Sequence, residues 1–314
     1  MTNQEQRILQ SIDKEKMMEH LWVLVRKPRL SGTPEELEAF EFIQAQLSSL
    51  GIETRLLTFR AYLSWPRFGQ VEVLGASARL LEAKTRSYSV STDEAGVCGE
   101  LVYIPGGTNM FTDTQTAERL QGMDLRGKVV LTEGGGRQNM ALAQKAGAVG
   151  YIHMWPTPDP LVHDSTVSPV WGQPTPETLS QIPDIPVVAI TNMDGRALLS
   201  EMETGPVRVC LRTRTETGWR DQRILECRIP GKTDQFTMIG AHVDTWDIGA
   251  TDNLTGVCLA MELARVFFEH RAFLERGLRV CFWCGHSPGR YRLHLVLRQS
   301  LAGAETALCR LSEY

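Results

Sequence analysis

The sequence predicts an α/β protein: strands and helices in succession, interrupted by a β-rich insert. Three observations carry that prediction. Leu37, Phe40, Ile43, Leu47 and Leu50 form a helix-period apolar stripe, followed at once by a β-rich run from Ile52. Residues 236–241, 253–268 and 278–284 read as strand, helix and strand. Between these regions, from about Lys84, short β-rich runs, glycines and prolines dominate. The expected organisation is an α/β domain over residues 1–84 and 216–291, a self-contained insert over 85–215, and a tail of different character over 292–314.

Taken in order, Thr33-Pro34-Glu35-Glu36 reads as an N-cap, a proline at the first helical position and a capping-box glutamate. Gly51 stops that helix. Strands are expected at 52–59, 71–74 and 78–81, the last two forming a hairpin around Gly75. Inside the insert, short β-rich runs are expected at 99–104, 124–131 and 185–190, strands at 148–153 and 207–212, and helices at 138–146 and 194–203. Gly106-Gly107 and Gly134-Gly135-Gly136 lack the spacing of a phosphate loop and read as turns. Residues 216–221 read as a polar linker before a strand at 224–229.

A length of 314 residues suits two domains, or one domain carrying an insert. A net charge of −4 gives no basic field for nucleic acid or an anionic membrane. The N-terminal residues lack a charged-then-apolar leader pattern, and no apolar run is long enough to span a bilayer. The seven cysteines are scattered and odd in number, so they are expected to be reduced thiols of a cytoplasmic protein. Cys281-Phe282-Trp283-Cys284 is formally a C-x-x-C, but it has no second pair and lies in an apolar run, so it is expected to be a core strand.

His242-Val243-Asp244 and Gly249-Ala250-Thr251-Asp252-Asn253 are the most informative strings. They place an imidazole and two carboxylates where an apolar strand ends and a helix begins. Open α/β sheets bind ligands at that edge, and imidazole with carboxylate suits a borderline cation such as zinc. A plainer reading stays open for each residue alone: Asp252-Asn253 would cap the following helix well, and Asp244 could be a strand-end turn residue.

With these residues in view, the chain resembles the co-catalytic zinc exopeptidases of the aminopeptidase, glutamate-carboxypeptidase and transferrin-receptor type. The supporting strings are residues 28–34, 242–246, 249–253 and 262–265. Residues 125–131, 146–150 and 185–188 resemble the protease-associated domain inserted in many of those proteins. The resemblance implies a mixed-sheet zinc-exopeptidase (phosphorylase/hydrolase-like) domain, incomplete on its C-terminal side, with a protease-associated domain inserted at 85–215. It implies two zinc ions in intact relatives, with His242 a ligand of one, Asp252 bridging both and Asp244 orienting the histidine.

The chain departs from that pattern in two places. Where active relatives carry two adjacent glutamates, a general base and a zinc ligand, this chain reads His286-Ser287. His286 could replace the base, bind metal in an altered geometry, or be a solvated strand-end residue. The family's remaining aspartate and histidine ligands have no counterpart before Tyr314. Back-translated with suitable wobble bases and read one base along, residues 292–314 yield Gly-Ser-Thr-Trp-Tyr-Cys-Asp and then a helix-like continuation that fits the family. The expectation is a truncated chain with an out-of-frame tail; a natural helical tail is the alternative. The function implied is hydrolysis of peptides or small peptide-like substrates by a zinc-activated water, impaired in this chain, with Asp244 and His286 as catalytic residues. The alternative is an inactive peptidase fold kept for binding. The sequence gives no sign of the oligomeric state.

Overall fold

A computed structural model describes residues 2–106, 114–133, 136–169, 174 and 176–286. Gly107, Gly134, Gly135, Ser287 and the tail from Arg292 lie outside the described residues. The chain divides into two compact units, one of Met1–Ala61 with Trp219–Tyr314 and one of Tyr62–Gly218.

The first unit opens with two helices, α1 (Asn3–Gln10) and α2 (Lys14–Leu24), which no clear periodicity announces. α3 (Pro34–Ser49) follows the expected helix closely. The Thr33 hydroxyl accepts from the Glu36 amide, but the Glu36 carboxylate reaches back to Gly32 N at 2.9 Å, one residue beyond a capping box. Phe40, Ile43 and Leu47 are buried as the stripe requires, whereas Leu50, the C-terminal cap, stands 42% exposed. The three-stranded sheet of this unit runs β7 (Arg208–Ile229), β9 (Arg276–Trp283), β8 (Thr233–His242). β9 is antiparallel to β7 and parallel to β8. α8 (Thr255–Glu269) packs on it, and Val257, Met261 and Ala264 join Phe40, Ile43, Val280 and Phe282 in one core. A fully buried large apolar side chain contributes about 1.5–3 kcal/mol, so this core holds the sheet edge rigid.

The second unit carries a seven-stranded array in the order β1 (Glu53–Leu74), β2 (Arg79–Thr85), β6 (Val187–Ile190), β5 (Gly150–Met154), β4 (Lys128–Thr132), β3 (Val97–Tyr103), β7. β3, β4, β5 and β6 run parallel to their neighbours within that set, and the fully buried valines and isoleucines of β4, β5 and β6 belong to continuous buried runs. Helices α4 (Thr114–Leu120), α5 (Arg137–Lys145), α6 (Pro176–Leu179) and α7 (Asn192–Thr204) connect them.

Three expectations are corrected. The separate strands at 52–59 and 71–74 are one 22-residue strand, β1. The linker at 216–221 is the middle of β7, also 22 residues long. The 216–221 stretch is polar and partly exposed, and Pro66 and Gly69 interrupt the apolar residues of the stretch after Phe59, so neither announces a strand. The cysteines are not all free thiols: Cys98 and Cys210 form a disulfide, because β3 and β7 pair with these two residues directly opposite. A separation of 112 residues hides such a partnership from sequence inspection. Cys281 and Cys284 are buried as expected of a core strand.

Candidate active site

Parallel pairing builds the site. His242 ends β8 opposite Trp283 near the end of β9, so the residues that follow both strands emerge together at the carboxyl edge. Gly240 lies under the Trp283 ring, where a Cβ would come within 2.0 Å of it, so the indole closes over the strand just before His242. The loop then turns through Gly249, held at φ 60°, a conformation that favours glycine, and Asp252 precedes α8.

His242 is buried, and its hydrogen bonds fix its chemistry. Nδ1 lies 3.0 Å from the Asp244 carbonyl oxygen, which can only accept, so Nδ1 carries a proton. The Asp244 carboxylate is 3.5 Å from the same nitrogen, making the carbonyl the closer orienting group. Nε2 then faces Asp252 Oδ1 at 2.9 Å. Two lone-pair-bearing atoms that close need a cation between them, either a second proton or a metal. Burial alone would lower the His242 pKa; Asp244 and Asp252 together outweigh it and hold it above the ordinary value. The Asp252 side chain is 75% exposed, so its second oxygen faces solvent.

His286 comes next to this pair, its ring stacked on His242 at 4.1 Å between centroids and 15° between planes. Burial and then the charge of His242 push its pKa below the ordinary value, so His286 is the neutral partner, able to take a proton. Its backbone N–H donates to Asp244 Oδ1 at 3.3 Å. The structure thus brings His242, Asp244, Asp252 and His286 to one sheet edge.

Sequence reasoning missed the residues beneath. Ser31 donates to Asp244 Oδ2 at 2.7 Å and accepts from Gly285 N at 3.1 Å, tying the two strand ends together. Arg29 is fully buried, and its guanidinium donates to the carbonyls of Leu24, Lys27, Val243 and Ile248. It clamps the loop that separates His242 from Asp252; burial draws its own pKa down to about 10 despite Asp244. Both lie in the 28–34 string, yet nothing in their spacing marks them as supports for a loop more than two hundred residues away (|i−j| = 214 for Arg29 and Val243).

By type these donors suit zinc; by number they fall short. His242 Nε2 and Asp252 Oδ1 converge, but a catalytic zinc takes three protein ligands, and among the described residues no group of three or more His, Cys, Asp or Glu side chains forms a metal cluster.

The fold and this edge first define a class, the mixed-sheet α/β proteins with an imidazole and a carboxylate converging at the carboxyl edge of the sheet. Comparison with known proteins then supplies the family. Residues 225–289 match the model of peptidase family M28. The chain is 27% identical over 263 residues to a probable lipoprotein aminopeptidase of Mycobacterium tuberculosis, covering 81% of this chain and 48% of that one. Its fold is similar to that of a peptidase M28 precursor from Shewanella amazonensis, with a TM-score of 0.78 at 20% identity over 95% of this chain and 70% of the other. It is also similar to that of a zinc aminopeptidase from Bacillus subtilis, with a TM-score of 0.64 at 19% identity over 85% and 60%. The chain is thus similar to the co-catalytic exopeptidases of peptidase family M28, and residues 225–289 carry the family match. It spans about half the length of the curated relatives it matches.

Proposed function

We propose that this chain forms part of a zinc-dependent exopeptidase of the aminopeptidase type, and that His242 and Asp252 are the first donors of its metal centre. One observation carries the reading: with Nδ1 committed to the Asp244 carbonyl, the lone pair of His242 Nε2 points at the Asp252 carboxylate, 2.9 Å away. A zinc ion bound there would lower the pKa of a coordinated water toward neutrality. The remaining ligands would come from outside the described residues. Asp244 holds the imidazole through its carbonyl and the His286 backbone through its carboxylate, so it acts as a positioning residue. His286 takes the place of the family's general-base glutamate; it is exposed to solvent, but with its pKa lowered it accepts a proton less strongly, and turnover is expected to be weak. The unit of residues 62–218 would correspond to a protease-associated domain, within which the expected insert of 85–215 falls. The substrates are peptides or small peptide-like molecules.

Zinc content by elemental analysis, together with hydrolysis of aminoacyl-nitroanilides, tests this. Purified protein should bind zinc that a chelator removes, and Asp252→Asn should weaken binding. Protein that takes up no zinc at micromolar concentration and hydrolyses none of these substrates would sink the proposal.

A further inference from the structure

Cys98 and Cys210 sit directly opposite each other on antiparallel neighbours β3 and β7, with Cα atoms 4.0 Å apart. Residues opposed in this way project from the same face, so the register alone delivers the two sulfurs to each other. They differ in access: Cys98 is exposed, whereas Cys210 is buried. The other cysteines among the described residues, Cys227, Cys258, Cys281 and Cys284, are all buried in the first unit, and burial pushes each thiol pKa up. A buried thiol held protonated neither attacks nor is reached, so among the described residues thiol–disulfide chemistry is confined to the one pair.

We propose that Cys98–Cys210 is a redox modification site, closed by exchange with an external disulfide, and that it locks the second unit when the chain meets an oxidising compartment. The exposed Cys98 thiolate attacks one sulfur of the oxidant and expels the other as a thiolate, leaving a mixed disulfide. Cys210 then attacks the Cys98 sulfur and expels the second thiolate. Two electrons pass from the pair to the oxidant disulfide, and the two protons released by the pair protonate the departing thiolates. The bond joins the start of β3 to the start of β7 across 112 residues, so its loop contains β4, β5, β6 and helices α4 to α7. Closing a loop of that length removes much of the unfolded chain's freedom. The bond therefore replaces the expectation of uniformly reduced cytoplasmic thiols with a chain whose folded form registers the compartment's redox state.

The full-length protein is equilibrated with oxidised or reduced glutathione, alkylated under denaturing conditions and analysed by peptide mass spectrometry. Oxidised protein should yield a Cys98–Cys210 linked peptide about 2 mass units lighter than the two free peptides. The remaining cysteines should be fully alkylated. Thermal unfolding of the same wild-type samples should shift down by more than about 5 °C on reduction, and Cys98→Ser should remove that dependence on reductant. Alkylation of both Cys98 and Cys210 after oxidation, or linkage to other cysteines, would overturn the site. A melting temperature that ignores reduction of the bond would overturn the lock.

Discussion

Two buried histidines in the two units show how the same side chain becomes a site in one place and a strut in the other. His153, in β5, has both nitrogens occupied by protein: Nδ1 accepts from the Arg86 guanidinium, and Nε2 donates to the Glu133 carbonyl at 3.1 Å. Burial and then the Arg86 charge drive its pKa well down, so it stays neutral. His242 has one nitrogen occupied by a carbonyl and the other aimed at an exposed carboxylate, and its pKa goes up. A cation neighbour closes a histidine off; a carboxylate neighbour leaves a place for a cation. The difference lies in the second residue along as much as in the histidine itself, Trp155 in one case and Asp244 in the other.

The contrast can be broken most forcefully at His153. Arg86 is fully buried, its Nε has no hydrogen-bond partner, and burial draws its pKa down to about 10. His153→Leu would leave that guanidinium without its imidazole acceptor, and a loss of about 3–5 kcal/mol in unfolding free energy is expected in urea titrations. The double variant His153→Leu with Arg86→Met should recover most of the loss, because an apolar pair of similar volume needs no partner. A double variant as unstable as the single one would show that His153 is not there to serve Arg86.

The same substitution logic gives the opposite pattern at the other histidine. His242→Asn is expected to weaken zinc binding by more than about 100-fold, or roughly 2.7 kcal/mol, in calorimetric titration. Global stability should change far less, because Asp252 is exposed and the buried Asp244 carboxylate keeps its bonds to Ser31 and the His286 backbone. Equal damage to stability and to metal affinity would mean that His242 is a strut like His153.

Legibility in the sequence followed the same divide. His242, Asp244 and Asp252 could be read because they form a short string at a strand end, where backbone geometry makes neighbours of near residues. The α3 stripe and the buried runs of β4 to β6 were legible from their apolar pattern. What stayed hidden depends on contacts between distant residues: Arg29 on the loop carbonyls, Ser31 between Asp244 and Gly285, Cys98 opposite Cys210. A polar strand such as the middle of β7 is also silent, since its pairing is made by backbone and leaves no side-chain period.

Ser31 tests how far the support extends. Ser31→Ala removes the donor to Asp244 Oδ2 and the acceptor for Gly285 N, leaving both groups buried. A stability loss of about 1–3 kcal/mol is expected, with weakened zinc binding, because Asp244 also holds the His286 backbone. Ser31→Thr should restore both measurements if the hydroxyl is what matters. Unchanged stability and affinity in the alanine variant would confine the support to Arg29.

The smallest effect, and the most specific, concerns Glu36 beneath Ser31. Its Oε2 accepts from Gly32 N, its Oε1 is buried without a hydrogen-bond partner, and Arg223 stands 3.8 Å away. Burial first and Asp244 second raise its pKa well above the ordinary carboxyl value, against the pull of Gly32, Arg223 and Arg29. A carboxyl whose pKa is higher folded than unfolded binds more protons in the native state. Its favourable contribution is therefore complete below the unfolded value, near ~4.3, and fades as pH rises through the folded value. Glu36→Gln keeps the acceptor for Gly32 and cannot ionise. Melting temperatures of the two proteins should converge at low pH, and the variant should gain on the wild type as pH rises. Parallel curves would mean that the Glu36 proton is not coupled to folding, and that Arg223 has come close enough to hold the carboxylate charged.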